Sequence, residues 1–115
     1  NWRRAWGWFV DGALCGHLYL HGGLMTAAKH RVSMGMGVHR DHRRQGGGAA
    51  LLVAAIEWSK DQPDIDWIDL GVFEGNAPAE AMYRKFGFEE MGRKRDRFRV
   101  DGNSLDNISM SLFVG

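Results

Sequence analysis

Glycines and cations crowd one stretch of this sequence, Val38-His39-Arg40-Asp41-His42-Arg43-Arg44-Gln45-Gly46-Gly47-Gly48-Ala49-Ala50-Leu51-Leu52. It reads as a strand that feeds a glycine-rich turn, which in turn opens a helix. The first turn of a helix carries unpaired backbone N–H groups and a partial positive charge. Glycines let an anion come close to that backbone, so the arrangement suits a pyrophosphate. Neither the Gly-Lys-Ser/Thr ending of a P-loop nor a Gly-x-Gly-x-x-Gly dinucleotide fingerprint is present. The plainer reading of the same residues is a loop that merely turns strand into helix.

A second segment runs from Leu70-Gly71-Val72-Phe73-Glu74-Gly75-Asn76-Ala77-Pro78-Ala79 into Ala81-Met82-Tyr83-Arg84-Lys85-Phe86-Gly87-Phe88. Asn76 is placed to cap a helix whose first turn holds Pro78. Tyr83 falls on the apolar face of that helix, where a core aromatic is the plain alternative to a reactive phenol. Glu74, at the strand end, suits either a proton relay or a solvated loop carboxylate. His39 and His42 flank Asp41 without the further ligands a metal site needs. His17 and His30 are available as bases, and nothing in their spacing singles them out. Cys15, the only cysteine, reads as a buried structural thiol.

The elements that must position these groups follow from periodicity. Strands are expected over Trp6–Val10 and Ala13–Leu20, joined at Asp11-Gly12, a dipeptide suited to a tight hairpin turn. An irregular connection over 24–31 leads to a third strand, Val32–Val38, where Met34, Met36 and Val38 alternate with Ser33, Gly35 and Gly37. The helical period places Leu51, Leu52, Ala55, Ile56 and Ser59 on one face of a helix from Gly46 to Lys60. A strand at Trp67–Phe73 precedes a second helix that starts near Ala77. Its apolar face carries Ala79, Met82, Tyr83 and Phe86, and Gly87 ends it. Phe88–Arg99 and Leu105–Val114 read as a closing hairpin around Asp101-Gly102. This order calls for a mixed α/β sheet in one domain over 1–115.

Composition narrows the function classes. The 115 residues carry a net charge of +1, which gives no electrostatic case for nucleic acid or membrane binding. The basic run Arg93-Lys94-Arg95 with Arg97 reads as a solvated strand edge. No apolar run approaches the roughly 20 residues of a membrane-spanning helix. One cysteine cannot form an intramolecular disulfide, and a cytoplasmic setting is expected.

With both segments in place, the sequence resembles the GNAT superfamily of acetyl-CoA-dependent N-acetyltransferases. Their Arg/Gln-x-x-Gly-x-Gly/Ala signature is matched by Arg43, Gly46 and Gly48. The strand–Asn–x–x–Ala–helix–Tyr–x–x–x–Gly–Phe segment is matched by Asn76, Ala79, Tyr83, Gly87 and Phe88. The tail, from Gly92-Arg93 through Asp101-Gly102 to Met110, resembles the subgroup that acetylates amino acids and small amines. The resemblance covers residues 5 to 113. It implies an α/β fold with a mostly antiparallel sheet, splayed central strands and two helices, lacking the usual N-terminal strand and helices.

The same resemblance implies roles. Backbone of Met36, Gly37 and Val38 pairs with the pantetheine of acetyl-CoA. N–H groups from Arg43 through Arg44, Gln45, Gly46, Gly47 and Gly48 to Ala49 hold the pyrophosphate, with guanidinium help from Arg43 or Arg44. Asn76 bonds the pantetheine, and Tyr83 protonates the departing thiolate. Glu74 is the candidate relay for the amine proton, and no metal takes part. The acceptor implied is a small-molecule amine attacking the thioester directly in a ternary complex. A non-catalytic acyl-CoA-binding module and an N-terminal protein acetyltransferase are the alternatives, and a homodimer is compatible with a shortened fold.

Three departures from the family pattern stand out. Arg44 and Gly47 replace a small and a branched apolar residue, and Gly47 should cost about 1 kcal/mol in the first helical turn. Val32–Val38 holds no Asp or Glu where relatives often carry a carboxylate. The chain opens at Asn1, at what corresponds to the family's second strand.

Overall fold

The computed structural model describes residues 2–23, 25–43 and 45–115. Among them, six strands and two α-helices form a mixed, mostly antiparallel sheet fold, as expected. The chain divides into two units, residues 1–68 with 114–115, and residues 69–113.

The first unit is an antiparallel meander of β1 (Trp2–Val10), β2 (Ala13–Gly22) and β3 (Arg31–Val38), against which α1 (Gly47–Lys60) packs. Asp11 and Gly12 take φ of 50° and 82°, the left-handed pair that the β1–β2 hairpin turn requires. β1 starts four residues earlier than its apolar pattern indicates. Arg3 and Arg4 extend it because each guanidinium finds a ring, Arg3 over Tyr19 at 4.3 Å and Arg4 over Trp58 at 5.0 Å.

Leu18, Leu20 and Val32 from the meander, with Leu51, Leu52 and Ala55 from α1, are buried. Each fully buried side chain of this size removes apolar surface worth about 1.5–3 kcal/mol. Ser59 is buried on the same helix face because its hydroxyl donates to the Ala55 carbonyl at 2.8 Å. Cys15 is buried, its thiol 3.4 Å from the Ala13 carbonyl. The 24–31 connection contains a single 3₁₀ turn, Thr26–Ala28.

In the second unit, β4 (Trp67–Phe73), whose first residues end the first unit, leads into α2 (Ala77–Lys85), followed by the hairpin of β5 (Glu89–Val100) and β6 (Asn103–Phe113). Asp101 and Gly102 again take positive φ, 51° and 78°, at the hairpin turn. β5 is irregular over 94–98, where Asp96 bulges out at φ 52°. The Asp96 carboxylate takes two bonds from Arg99, at 3.0 and 2.6 Å, and one from the Ser104 hydroxyl at 2.7 Å. Apart from the half-buried Phe98, β5 is exposed along its length, including Arg93, Lys94, Arg95 and Arg97.

Candidate active site

In the first unit, β3 ends at Val38 and the chain makes a 3₁₀ turn, Arg40–His42, before α1 begins. His39 anchors the exit, its N–H donating to the Cys15 carbonyl at 2.7 Å. The His39 Nδ1 accepts from the Asp41 N–H at 3.2 Å and so closes the turn. Arg43 reaches back to donate from Nε to the Val38 carbonyl at 3.3 Å. The His42 Nδ1 lies 3.4 Å from Oε1 of Gln45. His39 and His42 thus serve the turn, and among the described residues no three His, Cys, Asp or Glu side chains gather as metal ligands.

Gly46 caps the loop at φ 85°, a left-handed conformation that disfavours a side chain. The first helical bond runs from the Ala50 N–H to the Gly46 carbonyl at 3.0 Å. The N–H groups of Gly47, Gly48 and Ala49 therefore precede the helical ladder. Gly46 offers no side-chain cap, and the first turn contains no acid. Three aligned donors at the positive end of a 14-residue helix suit an anion, and the residues present fit a pyrophosphate. Arg44 lies outside the described residues.

Gly47 finds its explanation here. A β-carbon at Gly47 would overlap the Trp8 indole, which lies against it. The residue that weakens the helix by propensity lets α1 seat on β1.

The second unit carries Glu74 and Asn76 on the β4–α2 connection and Tyr83 on α2. Asn76 occupies the N-cap position, as its sequence context implies, but its side chain makes no capping hydrogen bond. The expectation of side-chain capping is thereby corrected. Its backbone does the local work, the N–H donating to Phe73 at 3.1 Å and the carbonyl accepting from Glu80 at 3.1 Å. Its φ of −88° and ψ of 65° depart from the extended geometry in which a capping side chain turns back on the helix.

Tyr83 is buried at 7% exposure, its ring edge-on to Phe88 at 5.7 Å. Burial pushes the phenol above its usual range, so it stays protonated throughout the neutral region. Glu74 has partners that its sequence context did not reveal. Oε1 accepts from the Asp106 N–H at 3.1 Å, and Oε2 lies 3.6 Å from Arg93. Arg93 also reaches Asp106 at 3.5 Å, so the carboxylate sits in a small charged group.

Sequence reasoning put His17 and Tyr19 on the second strand, named His17 as an available base without singling it out, and gave Tyr19 no role. Both cross from β2 onto β3, His17 opposite Gly37 and Tyr19 opposite Gly35. The glycines alternating along β3 were the available signal, since a strand rarely gives up packing side chains without a neighbour to fill the space.

A strand, a glycine turn and an uncapped helix start in an α/β fold make a site suited to an anion such as a pyrophosphate. The chain belongs to the acetyltransferase (GNAT) family, which it matches over residues 1–88. It is 30% identical over 102 residues to the L-amino acid N-acetyltransferase AaaT of Escherichia coli (strain K12), covering 89% of this chain and 63% of that one. It therefore spans less than two thirds of that relative's length. Its fold matches the ribosomal-protein-S18-alanine N-acetyltransferase from Escherichia coli with a TM-score of 0.87 at 24% identity, over 98% of this chain and 70% of that one. It also matches YncA from Salmonella typhimurium, solved with its cofactor acetyl-CoA, with a TM-score of 0.83 at 20% identity, over 91% and 61% of the two chains. Enzymes of this family use acetyl-CoA. No described helix is long and apolar enough to cross a membrane.

Proposed function

We propose that this chain transfers an acetyl group from acetyl-CoA to the primary amine of a small molecule, an amino acid or a related amine. The observation that carries this reading is the N-terminus of α1, with its N–H donors uncapped behind the left-handed Gly46. Bound acetyl-CoA would supply the acetyl group already activated as a thioester. N–H groups of Arg43 and of Gln45 to Ala49, Gly48 included, would hold the pyrophosphate. The backbone of Met36, Gly37 and Val38 pairs with the pantetheine.

The Asn76 amide, uncommitted to capping, is available to bond the same arm. Tyr83 keeps its proton on the phenol oxygen and directs it toward the departing thiolate. A thiol has a pKa near 8.5 and this phenol lies above its ordinary 10, so full proton transfer is uphill. Tyr83 therefore acts chiefly as a hydrogen-bond donor. Glu74 is the proposed relay for the amine proton. The buried thiol of Cys15 suits a reducing, cytoplasmic setting.

The amino-acid acceptor draws support from the similarity to AaaT. The structural likeness to an enzyme named for the alanine of a ribosomal protein keeps a protein N-terminus as the second acceptor. Calorimetric titration with acetyl-CoA, with desulfo-CoA and a Gly48→Glu variant as controls, tests the cofactor site. Saturable binding lost in the variant supports it, and no binding by a folded chain overturns it. Thiol release with amino acids or with an N-terminal peptide then separates the acceptors. Binding without release to any amine points to a non-catalytic acyl-CoA module.

A further inference from the structure

β3 has two unlike faces. The face toward α1 is closed by Leu18, Leu20, Val32 and Met34, all buried. The other face starts with Arg31 and is nearly bare beyond it, because Ser33, Gly35 and Gly37 follow. β2 fills the space instead. A β-carbon on Gly35 would overlap the Tyr19 ring, and one on Gly37 would sit 2.9 Å from Cε1 of His17. The two rings lie parallel, 3° between planes and 6.4 Å between centroids, and Arg3 covers Tyr19 at 4.3 Å.

His17 is thus laid across β3 at Gly37, inside the Met36–Val38 stretch proposed to pair with the pantetheine. It is exposed, whereas Tyr19 beside it is half-buried. Within that stretch Met36 and Val38, on the α1 face, are half-buried, whereas the opposite face carries no side chain of β3 at Gly37 and is covered by the exposed His17. β3 itself contributes no carboxylate there, and imidazole is the side chain best suited to take a proton near neutral pH.

We propose that His17 is the general base of the acetyl transfer, taking a proton from the incoming ammonium group. This rests on the acetyltransferase reading. The proton passes from the ammonium nitrogen to the imidazole and leaves the lone pair free. That pair forms the new N–C bond to the acetyl carbonyl carbon while the C–S bond breaks, its electrons leaving on sulfur. The second amine proton, the one left to the proposed Glu74 relay, ends on the thiolate or in solvent, and His17 returns its own proton to water. Tyr19, stacked beneath Arg3, is a positioning residue that fixes the imidazole over Gly37.

The test compares the whole chain with His17→Gln and Tyr19→Phe on two nucleophiles. The twenty L-amino acids, assayed singly, are ammonium ions at pH 7.5 and need a base, whereas hydroxylamine is already neutral. His17→Gln should lower kcat/KM for the best amino acid at least about 100-fold, the lower end of general-base catalysis, and leave the hydroxylamine rate and acetyl-CoA affinity in place. Tyr19→Phe should keep most activity, because the ring is retained. Independently of turnover, the His17 Cε1–H proton resonance, identified by its loss in His17→Gln, should shift when the same amino acid is added with desulfo-CoA.

Equal loss with both nucleophiles, no loss with either, or an unmoved resonance overturns the assignment of His17 while leaving the acetyltransferase reading intact. A wild-type chain that acetylates neither nucleophile overturns that reading, and the His17 assignment falls with it.

Discussion

Gly47 lies against the face of Trp8, which pairs with Gly16 on β2. One glycine contact therefore joins the start of α1 to β1. By propensity alone, Gly47→Ala should stabilise α1 by about 1 kcal/mol. With the indole in place it should destabilise the chain instead, by about 1–3 kcal/mol, as overpacked cores do. Urea unfolding of Gly47→Ala, alone and with Trp8→Ala, checks this. Removing the indole should abolish the penalty, and a stabilised single variant would refute the seating argument.

Tyr83→Phe should slow acetyl transfer by about 10-fold, less than the roughly 10²–10⁴-fold of full proton transfer, because Tyr83 only donates a hydrogen bond and a thiolate needs little help to leave. Affinity for acetyl-CoA should be unchanged. Calorimetry and thiol-release kinetics together separate the two effects.

The same phenol gives a pH signature. Burial raises its pKa in the folded chain, whereas in the unfolded chain it ionises near the ordinary 10. As pH rises above about 10, the unfolded state loses its proton first and stability falls. The contribution is complete below that point and is gone once pH passes the folded value. Thermal melts from pH 8 to 11 should show this decline, and Tyr83→Phe should flatten it.

Asp96 behaves in the opposite sense. Arg99, and then Ser104, hold its carboxyl below the usual range. Its contribution is present above the unfolded carboxyl's ordinary pKa of 3.8 and is lost as pH falls through the folded value. The group is exposed, so the effect should be confined to the β5–β6 hairpin. Hydrogen exchange of the Asp96 amide, which donates to Asp106 at 3.0 Å, should quicken in Asp96→Asn.

Glu74→Gln tests whether the carboxylate bound to Arg93 also relays a proton. A relay predicts a several-fold drop in kcat/KM for the amine with melting nearly unchanged, since exposed ion pairs contribute about 0–1 kcal/mol. An unchanged kcat/KM with a slightly lower Tm would assign Glu74 to the Arg93–Asp106 group alone.

Local pattern sufficed for the order of elements, because each period is set by a residue's own neighbours. Trp67–Phe73 emerges with the bounds its sequence indicates, and α1 buries the face that Leu51, Leu52, Ala55 and Ile56 mark out. Asp11-Gly12 and Asp101-Gly102 were legible as turns because few residues tolerate positive φ. The Gly46–Gly48 loop announced an anion site for the same reason.

Tertiary structure decided what depends on a partner far along the chain. Gly47 looked like a helix defect until Trp8 was set against it, and Gly35 and Gly37 looked like weak strand residues until Tyr19 and His17 covered them. Asn76 carried a capping residue's identity without making the bond, and Glu74 met the side chain of Arg93, 19 residues further along the chain. Sequence alone settled which elements form and where the glycine turns fall, because backbone conformation is a local property. Which side chains face one another was settled by cross-strand register, and no local period encodes that.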